Sequence, residues 1–147
     1  MTIQVKDLTI TELHAFEPLM VMLNNEMHDK PFSPNWSMAT FLADHGMYIM
    51  IGAFDEEKPI GFVTGTMGRY EYNDSRFAIH SAIYVLPKYR KTAVGARLMR
   101  AFELRAKKLG AEYVEWSAHA NSEFEHLLSN RKYYKKSASV FRKVLII

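Results

Sequence analysis

The chain of 147 residues is 48% hydrophobic and 24% charged, ordinary values for a protein that buries a core, so disorder throughout is not expected. It has no cysteine, which excludes disulfides, thiolate metal sites and a cysteine nucleophile. The net charge of +3 is unevenly spread: residues 1–75 hold four Lys+Arg against eleven Asp+Glu, and residues 76–147 hold fifteen against five.

Met1 to Thr11 has no long apolar run and holds Lys6 and Asp7, so no signal peptide is expected. No stretch approaches the ~18 to 20 apolar residues of a membrane span, and a cytoplasmic location is expected. Ile3-Gln4-Val5 alternates as a short first strand. Thr11 is placed to cap a helix in which Leu13, Phe16, Leu19, Met20 and Leu23 recur, ending near His28 ahead of Pro31 and Pro34. Ser33 or Asn35 starts a second short helix carrying Met38, Phe41 and Leu42.

Three strand-like runs follow, Met47–Phe54, Ile60–Thr66 and Phe77–Leu86, with polar connections at 55–58 and 71–75 that imply an antiparallel meander. The period then changes. Val94, Leu98, Ala101, Phe102 and Leu109 form one helical stripe, with Gly110 as its C-terminal cap. Ala111–Ala118 reads as a strand parallel to Phe77–Leu86 through a β-α-β unit. A short helix from Asn121 to about Asn130 and a final strand in Val140–Ile147 complete the chain. No linker or repeat divides it, so one domain over 1–147 is expected. The expected order is β-α-α-β-β-β-α-β-α-β, an α/β fold with a mixed sheet of about six or seven strands and about four helices.

The most informative stretch is Tyr84 to Leu98, where a strand ends at Pro87, a small basic loop follows and a helix begins near Ala93. Such a junction aims backbone N–H groups and the positive end of a helix dipole at one spot, which suits a diphosphate. Gly95 permits close approach, and Arg90, Lys91 and Arg97 add charge. Val85, Pro87, Tyr89, Arg90, Gly95, Ala96 and Leu98 stand in the order Val-x-Pro-x-Tyr followed by Arg/Gln-x-x-Gly-x-Gly/Ala. On these residues, and on the order of elements, the sequence resembles the GNAT superfamily of N-acetyltransferases.

The resemblance implies that acetyl-CoA is the acetyl donor. Arg90, Lys91, Thr92, Ala93, Val94, Gly95 and Ala96 would surround its diphosphate. Exposed backbone at Ile83, Tyr84 and Val85 would run along pantetheine, and Asn121 would touch the cofactor arm. Asn121 also reads as a helix N-cap. Ala93 departs from the family pattern, standing where its first glycine is expected. Alanine is tolerated there if φ is negative; a positive φ would cost about 1 kcal/mol or more.

Acetyl transfer to an amine asks for a base, a donor to the developing oxyanion and a proton for the leaving thiolate. The resemblance implies direct attack without an acyl-enzyme. The family's acid, a Tyr seven residues after the Asn-type position, falls on Leu128, and Lys132 replaces the usual Gly before the next aromatic. Ser129, Tyr133 and Tyr134 stand nearby, and Tyr133 is kept as a candidate acid. The position of the family's strand carboxylate, nine residues before the motif Arg, is Ser81, which can orient a water. His119, at the end of the expected fifth strand, is the candidate base or relay, histidine being the side chain most often used for that task. His80 is read as a packed or surface histidine and Glu115 as solvent-facing. Glu26, His28, Asp29, Phe32 and Trp36 form an acidic-aromatic group suited to a cationic amine. The six His residues lack ligand spacing, so no metal is expected.

The first functional reading is therefore an N-acetyltransferase that acetylates a primary amine. A second is a non-catalytic acetyl-CoA-binding module, supported by Ala93, Leu128 and the missing carboxylate base. A third is a nucleic-acid binder built on Arg131, Lys132, Lys135, Lys136, Arg142 and Lys143 around Tyr133 and Tyr134. With 13% aromatics such interleaving arises by chance, and nucleic acid is not an expected partner. The expected partners are the amine and, through exposed strand edges, a second copy of the chain.

Overall fold

A computed structural model describes residues 2–146 and opens on strand β1 (Ile3–Asp7), whose Ile3 and Val5 pack toward the sheet's core. The helical stripe after it is split. Thr9, and not Thr11, is the cap: its side chain accepts from Glu12 N–H while the Glu12 carboxylate takes the Thr9 N–H, and α1 (Ile10–Leu13) begins there. A 3-10 turn over His14–Phe16 interrupts the helix, and α2 (Glu17–Met27) restarts with Pro18 in its first turn. Proline lacks the N–H that a continuous helix would need at that point, but it is accommodated in a first turn. Asn35 caps α3 (Trp36–Asp44) through Met38 N–H at 2.9 Å.

Strands β2 (Tyr48–Asp55), β3 (Lys58–Arg69) and β4 (Arg76–Val85) form the expected meander. The sheet order is β1-β2-β3-β4-β5, with every pairing antiparallel except the last. Helix α4 (Val94–Lys108) crosses from β4 to β5 (Tyr113–Glu115) and ends at Gly110, which takes φ +95°. β5 is shorter than the expected Ala111–Ala118. Ala111 N–H is still bound to the Ala106 carbonyl at the helix end, and pairing with β4 runs only from Phe77–Tyr113 to Ile79–Glu115.

Each face of the sheet buries its own core. On one, Leu98, Phe102 and Ala106 of α4 cover Ile49, Ile51, Val63 and Ala78. On the other, Leu13, Phe16 and Leu19 cover Met50, Phe62 and Tyr84. The β3–β4 ladder slips between Thr64 and Gly65, so that Thr64 faces Ala82, Gly65 faces His80, and Ser81 is the extra residue of a bulge. Gly65 is required there: a Cβ would stand 2.4 Å from both the Ile79 carbonyl oxygen and the Phe102 ring.

The backbone groups into two compact units, one up to Trp116 and the other from Ser117. In the second, Ser122, and not Asn121, caps α5 (Glu123–Ser129) by accepting from Glu125 N–H at 3.1 Å. The expected last strand is absent from residues 130–146, and Ile147 lies outside the described residues. Val140, Phe141 and Leu145 are 88%, 92% and 84% exposed. β-propensity needs a paired, half-buried surface to act on, and this segment has neither. The described residues thus hold five strands, fewer than the six or seven expected.

Candidate functional site

The end of β4 and the turn into α4 make the most distinctive local geometry in the first unit. β4 continues through 80–85 after its pairing with β5 has ended at Ile79, which leaves the β5-side edge of Ile83, Tyr84 and Val85 outside that ladder. The chain then folds into a 3-10 turn over Pro87–Tyr89. Tyr89 is buried and donates to the Asp55 carboxylate at 2.6 Å, anchoring the loop to the end of β2. The carboxylate beside it pushes the Tyr89 phenol above its usual range.

Thr92 closes the loop. Its hydroxyl donates to the Tyr89 carbonyl at 2.6 Å and accepts from Val94 N–H at 3.3 Å. Arg90 and Thr92 N–H bond back to Pro87 and Tyr89, and Arg97 N–H reaches the Ala93 carbonyl. The N–H groups of Lys91, Ala93, Gly95 and Ala96 find no protein acceptor among the described residues. They gather at the positive end of the dipole of a 15-residue helix. A Cβ on Gly95 would touch only Val85 Cγ2, at 4.0 Å, so open space lies beside these donors. Ala93 adopts φ −77°, a conformation alanine takes without strain. A loop of this kind can cradle a diphosphate on backbone donors, with Lys91 adding charge.

Arg90 lies differently from expectation. Its Nε donates to the Val85 carbonyl at 2.8 Å, its guanidinium sits 5.1 Å from the centre of the Tyr84 ring, and Nη2 is 3.2 Å from both oxygens of Glu26. Tyr84 donates to the same carboxylate at 3.3 Å, and burial, then the Glu26 charge, raises its phenol pKa. A residue expected on the cofactor side and one expected on the acceptor side are thus paired, a contact that spacing along the chain does not reveal. Of the remaining acidic-aromatic group, Trp36 packs on His14 at 3.9 Å, while His28 and Asp29 are exposed.

Ser81 is exposed, turned out by the bulge. His80 packs 5.1 Å from Trp116, whose ring meets Phe102, and burial lowers its pKa against an opposing bond to the Glu115 backbone. Within the second unit His119 is exposed, beyond the end of β5, and its carbonyl accepts from Ser122 N–H. Asn121 takes φ +64° and gives its N–H to Glu125 at 2.9 Å. Tyr133 is 70% exposed, its oxygen accepting from Arg131 at 3.0 Å. Among the described residues no three His, Cys, Asp or Glu side chains are grouped for a metal ion, and no helix is long and apolar enough to cross a membrane.

Comparison with known proteins gives a consistent result. A model of the acetyltransferase (GNAT) family matches residues 11–135. No curated protein sequence matches the chain. An aminoglycoside acetyltransferase from an uncultured soil metagenomic sample, solved with sisomicin, superposes with a TM-score of 0.79 at 18% identity, over 98% of this chain and 97% of that one. A putative acetyl transferase from Pyrococcus furiosus superposes at 0.76 and 16% identity, over 98% and 100%. AAC(6')-Iy, solved with the bisubstrate analog CoA-S-monomethyl-acetylneamine, superposes at 0.72 and 13% identity, over 98% and 100%.

Proposed function

The chain belongs to the acetyltransferase (GNAT) family, and we propose that it transfers an acetyl group from acetyl-CoA to a primary amine by direct attack. The observation that carries this reading is the cradle of free N–H groups at Lys91, Ala93, Gly95 and Ala96, beside the β5-side edge of Ile83, Tyr84 and Val85. The donors suit a diphosphate, and the edge suits the amides of pantetheine. The family match from 11 to 135 crosses from one compact unit into the other, which supports reading 1–147 as one functional domain.

Bound acetyl-CoA supplies the acyl group: the amine nitrogen bonds to the thioester carbon, the carbon–sulfur bond breaks, and sulfur leaves with the electron pair. The chain's part is to hold the reactants and move two protons. Ser81, exposed on the bulge, is the group proposed to orient a water, and His119 is the proposed base or relay. Tyr133 is kept as a dispensable proton donor to the thiolate, whose place water can take, since Leu128 holds the position of the family's acid. Asn121 holds the cofactor arm.

The acceptor is a cationic amine, in keeping with the net −7 of residues 1–75. One of the structural neighbours is named an aminoglycoside acetyltransferase, and aminoglycosides are amines of this class. The reaction belongs to the cytoplasm. Calorimetry with acetyl-CoA and CoA, followed by a screen of amines for acetylation, tests the reading. Binding in the micromolar range with turnover on an amine is expected; no binding at millimolar cofactor would end it.

A further inference from the structure

At the opposite end of β4 from the cradle lies a second concavity with its own chemistry. Arg69 and Arg76 are register partners at the mouth of the β3–β4 hairpin, so both side chains leave the same face of the sheet. They line a cavity of about 250 Å³ with His45, Met47, Met67 and Leu109, and none of its lining residues is acidic. Like charges directly opposite one another destabilise a ladder. Among the described residues no carboxylate lies within 4.0 Å of either guanidinium to relieve them. Glu112 takes the Arg76 backbone N–H at 3.2 Å instead. The Arg76 side chain lies against the end of α4, its Nη1 3.7 Å from where a Cβ on Gly110 would stand.

We propose that this cavity is a binding site for a small phosphate monoester. Two planar guanidinium forks lining the same cavity can match phosphate oxygens in pairs. Met47, Met67 and Leu109 offer an apolar wall for the organic part of the ligand. At ~3.3 Å per residue, β4 separates Arg76 from Val85 by roughly 30 Å. The site is therefore independent of the cradle and does not rest on acyl transfer.

The test is an amide-shift titration of the full chain with phenyl phosphate, inorganic phosphate and phenol at low salt. Phenyl phosphate should move the Gly46, Met47, Gly68 and Arg69 amides with millimolar saturation, several-fold more tightly than inorganic phosphate, and phenol should not. Arg69→Gln/Arg76→Gln should weaken it at least tenfold while melting no lower than wild type, since it removes a repulsion. Arg69→Lys/Arg76→Lys, which keeps the charges and loses the forks, should weaken it several-fold and covers the case of a Gln variant that fails to fold. Shifts confined to Lys91, Ala93 and Gly95, an equal response to phenol, equal affinity for the two phosphates, or unchanged binding in the variants would each overturn the proposal.

Discussion

Ala93 occupies the place of a family glycine, and the reason it is tolerated is local: φ is −77°, so no left-handed conformation is demanded. The converse follows. Ala93→Gly should lower stability by about 0.4–1 kcal/mol, through greater freedom of the unfolded chain, with no gain in acetyl-CoA affinity. Denaturant titration and calorimetry measure the two quantities, and tighter cofactor binding would show that the loop needs more freedom than this conformation has. Tyr133 presents a different case. It is exposed and its oxygen accepts from Arg131, while Tyr134 packs edge-on against it at 4.8 Å. Tyr133→Phe and Tyr134→Phe should each keep more than about a tenth of the rate, given that Leu128 holds the family acid's place and acid catalysis is typically worth 10²–10⁴-fold. A thousandfold loss in either would name it as an indispensable acid.

Between elements, the Glu26–Arg90 pair joins the last turn of α2 to the loop before α4. Both side chains are over 40% exposed, so the pair contributes at most about 1 kcal/mol to stability. Its effect on binding should be larger. Arg90→Ala should weaken acetyl-CoA by about 1–3 kcal/mol, the range for a charged hydrogen bond. Glu26→Gln, which leaves the guanidinium free to turn toward an anion, should not weaken it. A loss of affinity in Glu26→Gln would mean that the carboxylate holds Arg90 in its working position. The bulge at Ser81 depends on an equally local fit. Gly65→Ala should destabilise by about 1–3 kcal/mol or more, because the Cβ meets the Ile79 carbonyl as well as a ring that can shift. Equal denaturation midpoints for the two proteins would refute the tight approach.

For the whole molecule, charge sets the prediction. The acidic first half should favour cationic acceptors, and salt should weaken that preference. Glu26 is already paired with Arg90, which leaves Asp29, among the described residues, as the carboxylate of the acceptor group outside an ion pair. We expect Glu26→Gln/Asp29→Asn to narrow the ratio of kcat/KM between a polyamine and an anionic amine, more at low salt than at high. A ranking unchanged by the double substitution, or a preference for the anion, would sink the assignment. The sequence by itself determined the meander, α4 with its Gly110 cap, the parallel crossover and the basic strand-loop-helix junction. Each depends on neighbours within a few residues or on a periodicity visible along the chain. Only the tertiary structure decided that Ser81 is bulged, that Glu26 meets Arg90, that Arg69 faces Arg76 and that Val140–Ile146 stays unpaired. These depend on which backbone groups meet across the sheet or find no partner there, and contacts between residues tens of positions apart leave no periodic trace in the order of the chain.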